Sequence, residues 1–348
     1  MKKMQGVWLT GHGGFDKLAV RSDIPRPEPG PGEVLIRVAA AAVNNTDINT
    51  RLAWYSKGDN AGGDASWTGV PIRFPRIQGI DVCGRIAAAG EGVSDQRVGE
   101  RVLVEPCLRE VAGRELERPC FLGSECDGGF AEYVVVASRH AYRIHSELDD
   151  IALASFPCSY STAENLLQRA QVRSGDRVLV TGASGGVGSA AIQLAAMRGA
   201  EVIAVTQPAK ADQLHGLGAA QTLARGDDLV GILGRDSLDV VIDLVAGPRF
   251  GELLDVLRPG GRYAVSGAIG GPRVELDVRT LYLKDLTLFG CTVLDPGVFS
   301  ALVAYIEQGQ IRPLVAQTFP LQQIVEAQRV FLSKQHVGKL VLRVGAPA

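Results

Sequence analysis

The sequence predicts an α/β protein in two parts, a β-rich first region followed by a doubly wound parallel sheet. Three observations carry this. Residues 177–188, RVLVTGASGGVG, run from a short apolar stretch (Val178, Leu179, Val180) into a glycine-rich turn, and helix-forming residues follow over 189–197. From about residue 163 onward, apolar strand candidates alternate with helical stretches, as a parallel sheet with crossover helices requires. Before that point, short strand candidates are separated by turn residues, most densely at 25–32 with four prolines and two glycines.

The elements follow in order. In the first region strands are expected at 5–10, 33–42, 81–89, 101–105 and 131–136, with 98–104, VGERVLV, reading as a turn into a strand. Residues 53–73 are glycine-rich, polar and aromatic. They read as a surface insertion of the kind that forms substrate lids. In the second region strands are expected at 177–181, 201–205, 239–244, 261–266 and 287–291. A helix over 250–257 is stopped by Arg258, Pro259 and Gly260. The tail carries an amphipathic helix at 321–333 and a last strand at 338–343, expected to return to the first domain. The expected domains are 1–157, 158–298 and a return segment 299–348.

The strand–glycine–helix run is a place to hold a pyrophosphate. A helix N-terminus presents free N–H groups and the positive end of the helix dipole. Glycines let the backbone approach the phosphates and let the helix pack on the strand. Ser184, Gly185, Gly186, Val187 and Gly188 are the residues so placed. The next strand, 201–205, says which dinucleotide. An NAD site usually carries Asp or Glu near this strand's end, to accept from the ribose hydroxyls. Here the chain reads Val205, Thr206, Gln207, Pro208, Ala209, Lys210. Thr206 and Gln207 offer donors for a 2′-phosphate and Lys210 offers charge, so NADP(H) is expected over NAD(H). A solvated Lys210 opening the next helix is the plainer alternative. Val245 and Ala246, and Gly267 and Ala268, stand at carboxyl ends of later strands, where ligands dock in open α/β sheets.

Composition excludes several classes. The 348 residues, 46% hydrophobic, are ample for two cores. A net charge of −2 with no long basic stretch speaks against nucleic acid. No apolar run spans a bilayer, and the first fifteen residues carry no secretory apolar region. Six irregularly spaced cysteines read as cytosolic thiols. A cytoplasmic enzyme acting on a small molecule is the expectation. The histidines (12, 140, 145, 215, 336) are scattered, without a partner spacing that argues for a triad or a metal.

Several separated motifs agree: GPGEVLIRV, AVNNTDINTR, QGIDVCGRI, VGERVL, ECDGGFAEY, VTGASGGVGSAAIQLA, IDLVAG, LRPGGRYAVSG and HVGKLVLRV. Together they resemble the medium-chain dehydrogenase/reductase superfamily over nearly the whole chain. The resemblance implies a GroES-like catalytic domain around an inserted Rossmann domain, an active site in the cleft between them, and a homodimer or homotetramer. An edge strand at 286–293 would pair across the two-fold axis.

In the zinc-dependent branch, cysteine stands at the place of Asn44, histidine at Ile80 and cysteine at Cys158. Only Cys158 remains here, too few for the three protein ligands that catalytic zinc needs. Cys107, Cys120 and Cys126 lack the close CxxC spacing of that branch's structural lobe, and no metal is expected there, although three cysteines in one short stretch leave the question open. The zinc-free branch holds quinone oxidoreductases and enoyl or alkenal reductases. VNNTDINTRLAWY resembles its segment, with Asn44, Asp47, Arg51 and Tyr55 on matching positions and Ala53 where the pattern has glycine.

The expected function is therefore NADPH-dependent, zinc-independent reduction of a quinone or an activated C=C bond. Without zinc, neutral donors must meet the charge that develops on the substrate oxygen. Asn44, Asn45 and Tyr55 are the candidates. Each has a structural alternative: Asn44 holding a turn, Asp47 pairing with Arg51 on one helix face, Tyr55 and Trp54 packing a loop. Asp81 reads as support for the cleft backbone. By resemblance Lys339 lies near the cofactor. Two further readings stay open, a zinc-free alcohol or aldehyde dehydrogenase and a weakly catalytic NADPH-binding sensor.

Overall fold

A computed structural model describes residues 2–57 and 66–345. The chain divides into two units. The first holds the described residues through Cys158, together with Ile306–Gln308 and those from Arg312 on; the second holds Ser159–Tyr305 and Gly309–Ile311.

The first unit is built on a seven-stranded mixed sheet. Its strands run in the order Ala141–Arg143, Arg101–Val104, Cys83–Ala89, Glu33–Val43, Lys339–Arg343, Val315–Pro320, with Tyr133–Ala137 also paired to Glu33–Val43. Glu33–Val43 is buried along nearly its whole length. Its neighbours come from distant parts of the chain, and the tail strand Lys339–Arg343 lies antiparallel to it, Leu340 opposite Val43. A three-stranded sheet (Leu18–Pro25, Lys3–Leu9, Arg76–Ile77) and the hairpin Cys107–Val111 with Arg114–Phe121 complete the unit. The strand Leu18–Pro25 and the hairpin lie outside the sequence expectation. RELERP has no period-two apolar pattern, and none of its six residues is buried.

The second unit is a six-stranded, wholly parallel sheet. Its order is Ala219–Ala224, Glu201–Thr206, Arg177–Val180, Leu238–Asp243, Leu257–Val265, Thr287–Gly290. In chain order this is 3-2-1-4-5-6, the Rossmann arrangement, whose switch point lies beside the first strand. Val178, Leu179 and Val180 are fully buried, as a strand covered on both faces must be. Leu179, Ile203, Val241, Phe250, Leu253, Leu254 and Tyr263 form its core on one side. Ala219–Ala224 was not expected as a strand; AAQTLA has too little apolar bulk to signal one. The expected helix at 189–197 begins earlier, as Gly186–Met197, because the glycines form its first turn. Among the described residues, no helix is long and apolar enough to cross a membrane.

Candidate active site

Where Glu33–Val43 ends, the first unit gathers a buried polar cluster. Asn44 is the N-cap of the helix Asn45–Arg51. Asp47, in that helix's first turn, accepts the Asn44 N–H on Oδ2 (2.8 Å) and the Gly79 N–H on Oδ1 (3.2 Å). A carboxylate here satisfies donors that a helix start leaves unpaired. Gly79 has φ +102°, and a Cβ there would stand 2.6 Å from the Phe130 ring, so only glycine brings this N–H to Asp47. Asn44 Nδ2 donates to Asp81 Oδ2 (2.8 Å) and to the Ala42 carbonyl (3.1 Å). Asn44 Oδ1 accepts from Lys339 Nζ at 2.5 Å. Lys339 Nζ also pairs with Asp81 Oδ2 at 2.8 Å, and Asp81 Oδ1 accepts the Cys158 N–H at 2.6 Å. Asp81 is 0% and Lys339 2% exposed, so this is a buried ion pair held by hydrogen bonds on both sides. Burial pushes the Asp47 carboxyl up to about 7; its N–H partners and Lys339 oppose the rise and the Asp81 charge adds to it.

These distances reassign several expected roles. Both amide hydrogens of Asn44 are taken inside the cluster, which leaves none for a substrate oxygen. Asn45 is exposed and its Oδ1 accepts from Lys334 Nζ (3.1 Å), outside the cluster. Lys339 is held by Asn44 and Asp81. The Asp47–Arg51 pair does not form, because the Asp47 oxygens already hold two N–H groups. Arg51 instead donates to Gln328 Oε1 (3.0 Å) and the Gly13 carbonyl (2.6 Å) and stacks on Phe15.

Tyr55 stands beside this cluster. Its oxygen accepts from Asn49 Nδ2 at 3.3 Å. Burial pushes its phenol up to about 12, against the Asn49 and Thr46 hydrogen bonds and with the Cys158 and Asp47 charges. Its ring packs on Trp67 at 4.9 Å, and Trp67 packs on Phe121 at 4.6 Å. Trp67 Nε1 is buried with no hydrogen-bond partner, a donor that no motif singles out. The expected insertion at 53–73 falls partly on residues 58–65, outside those described.

The donor set does not fit zinc. At the place of the catalytic zinc, the Asn44 oxygen holds an ammonium and Ile80 is buried hydrocarbon, so Cys158 would supply one ligand where three are needed. Among the described residues, no three His, Cys, Asp or Glu side chains group to hold a metal. Cys120 and Cys126 interact with each other: the hydrogen bond between them lowers the Cys120 thiol and raises Cys126. His140, which the sequence left without a partner, bonds Glu105 Oε2 through Nδ1 (2.9 Å) and accepts the Arg109 N–H on Nε2 (3.0 Å). With both ring nitrogens occupied and the ring buried, it braces the sheet.

In the second unit the site lies at the carboxyl ends of the strands. The turn after Arg177–Val180 leads into Gly186–Met197. The N–H groups of Gly186, Val187 and Gly188 find no backbone acceptor, whereas Gly185 and Ser189 do. A Cβ on Gly188 would stand 2.4 Å from the Gly182 carbonyl oxygen, which is why the turn folds this tightly only with glycine. Beside it, buried Lys210 sits 3.5 Å from Ser184 Oγ. Burial and the nearby Arg225 guanidinium lower the Lys210 ammonium. Arg225 follows Ala224, which pairs with Thr206 across the sheet. Thr206 Oγ1 is buried and has no partner.

Asp243 organises the neighbouring loops. Its carboxylate accepts from Thr181 Oγ1 (2.5 Å), Tyr263 OH (2.5 Å), and the N–H groups of Val245 (2.9 Å) and Ala246 (3.1 Å). Burial and Asp243 raise the Tyr263 phenol, which stays a donor. The Val245 carbonyl accepts the Gly270 N–H at 2.7 Å, and a Cβ on Gly267 would meet the Leu244 carbonyl at 2.6 Å. The loops carrying Val245, Ala246, Gly267 and Ala268 are thus tied side by side.

One unit with a Rossmann sheet and unsatisfied donors at its switch point, and another of GroES-like build, define in one chain a nicotinamide-dependent oxidoreductase architecture. Family models for an alcohol dehydrogenase GroES-like domain and a zinc-binding dehydrogenase match residues 30–146 and 186–308. Curated relatives include a quinone oxidoreductase of Lama guanicoe, 30% identical over 97% of each chain. An acryloyl-coenzyme A reductase of Metallosphaera sedula is 31% identical over 97% of this chain and 99% of its own. Among solved structures, a Sinorhizobium meliloti 1021 protein provisionally described as an alcohol dehydrogenase is 46% identical. It covers 99% of this chain and 98% of its own, with a TM-score of 0.93. The chain belongs to the medium-chain dehydrogenase/reductase superfamily, in its quinone oxidoreductase-like branch.

Proposed function

We propose that this oxidoreductase reduces quinones or activated C=C bonds with NADPH, without zinc, in the cytoplasm. The observation that carries the cofactor choice is the corner at the end of Glu201–Thr206. It offers Lys210, Arg225 and an unpartnered Thr206 hydroxyl, where an NAD site places a carboxylate. A 2′-phosphate would accept from Thr206 and Ser184 and be neutralised by Lys210. The N–H groups of Gly186, Val187 and Gly188 would hold the pyrophosphate.

NADPH, when bound, supplies the hydride. The chain's own task is to orient the substrate and meet its developing charge. Tyr55, with its phenol pushed up to about 12, keeps its proton at neutral pH and donates to the substrate oxygen. Trp67 Nε1 is a second donor for that oxygen. For an enone, hydride adds to the β-carbon and the π electrons move to the oxygen. A proton then completes the saturated carbonyl. The names of the relatives point toward the same substrates. Zinc independence rests on the donor set, because a metal at Asn44 would have to displace Lys339.

The test is NADPH oxidation by chelator-treated protein against quinones, enones, alkenals and aldehydes, with NADH in parallel. Chelator-resistant turnover on quinones or enones is expected, with NADPH preferred. The similarity to the Sinorhizobium meliloti protein favours one other reading, a zinc-free alcohol dehydrogenase; alcohol-dependent reduction of NADP⁺ would decide for it. NADPH binding without turnover on any of these would point to a sensor. A dimer built on the edge strand Thr287–Gly290, where Leu288 is 37% exposed, completes the proposal. A monomeric mass in solution at working concentration would sink it.

A further inference from the structure

The first unit carries a second concave site, apart from the polar cluster. A cavity of 350 Å³ is lined by Lys2, Lys3, Arg26, Arg37, Glu132 and Tyr133. It holds four cations against one carboxylate. That carboxylate is engaged, since Glu132 Oε2 accepts the Gln5 N–H at 2.8 Å. None of the four cations pairs with a carboxylate among the described residues. Arg26 instead lies over the Tyr133 ring, 4.1 Å from its centroid.

The sheet register sharpens the imbalance. Arg37 stands directly opposite Tyr133 on one side and Arg85 on the other. Arg85 in turn stands opposite Arg101. Directly opposed residues share a face, and like charges there are destabilising. Arg101 is neutralised, with Asp150 Oδ1 at 3.7 Å and the carbonyls of Leu148 and Ser146 as acceptors. Arg37 and Arg85 are both exposed, and among the described residues neither has such a partner. Arg37, which lines the cavity, thus stands beside a second guanidinium group with no carboxylate of the described residues to offset either, an arrangement that an anion would relieve. Concave walls focus such a field, and guanidinium groups match phosphate oxygens in pairs. Arg37 lies seven residues before Asn44 in a nearly straight strand, so the cavity is about 20 Å from the polar cluster.

We propose that this cavity binds a phosphate-bearing small molecule, with Arg26 and Arg37 as its main contacts. Free polyphosphate and the phosphate end of a nucleotide share this chemistry. A nucleotide would also use the Tyr133 ring. The assignment is independent of the cofactor reading, because none of its residues belongs to the strand-end site.

The test is calorimetric titration of the full chain with inorganic pyrophosphate and with adenosine 3′,5′-bisphosphate at low ionic strength. The dinucleotide site is first filled with saturating NADP⁺ or NAD⁺, whichever binds. Saturable binding is expected, weakening as salt rises. Arg26→Gln/Arg37→Gln should lower the affinity by about tenfold or more, with dinucleotide affinity and quinone turnover unchanged. Lys210→Ala should do the converse, so failure of one assignment is distinguishable from failure of the other. Equal affinities for the two probes support a free phosphate anion; tighter bisphosphate binding supports a nucleotide. Two results overturn the proposal: no saturable binding of either probe, or equal binding by wild type and the double variant. Without ligand, Arg37→Gln should leave the melting temperature unchanged or raise it, because it removes the opposed arginines.

Discussion

The two polar sites of this chain are built in opposite ways. In the first unit the N–H and both side-chain polar atoms of Asn44, and both carboxylate oxygens of Asp47 and Asp81, have partners within the protein. In the second unit the Thr206 hydroxyl and the N–H groups of Gly186, Val187 and Gly188 have none. Buried polar groups without partners are costly, and a ligand that completes them offsets that cost. The satisfied cluster is scaffolding for the side chains beside it, Tyr55 and Trp67. Under the proposed function, the unsatisfied corner is the surface offered to the dinucleotide.

Substitutions can break that contrast. The largest effect is expected at the buried pair. Asp81→Ala strands the Lys339 ammonium and should cost about 3–5 kcal/mol in denaturant unfolding. Asp81→Asn with Lys339→Met, which removes both charges, should recover much of that loss. Next comes Tyr55→Phe, which removes a donor from the reaction but little from the fold. Turnover should fall about a hundredfold with an unchanged melting temperature; an unchanged kcat would return Tyr55 to loop packing.

Lys210→Ala should raise the KM for NADPH by about tenfold or more while leaving NADH almost untouched. If both cofactors suffer equally, Lys210 serves the fold instead. Thr206→Val is the sharpest comparison. It replaces an unpaired buried hydroxyl by a methyl group, so the apoprotein should be as stable as wild type or slightly more so, yet bind NADPH less well.

A further test is in pH. The Asp47 carboxyl titrates near 7 when folded, above its ordinary 3.8. Between about pH 4 and 7 the folded chain keeps a proton that the unfolded chain releases. This contribution to stability is therefore complete below that window and lost as pH rises through 7. Urea midpoints across the window should fall less steeply for Asp47→Asn than for wild type.

Much of the fold was legible because its signals are local. The apolar triplet before Thr181, the glycines around Ser184 and the proline-rich 25–32 each report on backbone within a few residues. The strand Ala219–Ala224 and the hairpin ending at Phe121 were missed because their exposed faces leave no apolar pattern. The strand-end site was also legible, down to Lys210, since it follows a strand in sequence. Arg225, and the closed circuit that occupies Asn44 and Lys339, were not. They depend on sheet register and on contacts between residues hundreds of positions apart, which no local pattern encodes.

The return of the tail has a consequence for how the chain is made. Lys339 and Asn44, 295 residues apart, meet only when Lys339–Arg343 lies against Glu33–Val43. A ribosome delivers that strand after the whole parallel sheet has emerged. Until then the sheet around Glu33–Val43 has an open edge, and Asp81 has no cation to neutralise it. Such long-range closure is slow and leaves an edge exposed to aggregation. The parallel-sheet unit, whose own pairings span far shorter stretches, is free to fold first, and the Asn44–Asp81–Lys339 circuit closes only after that unit has been made.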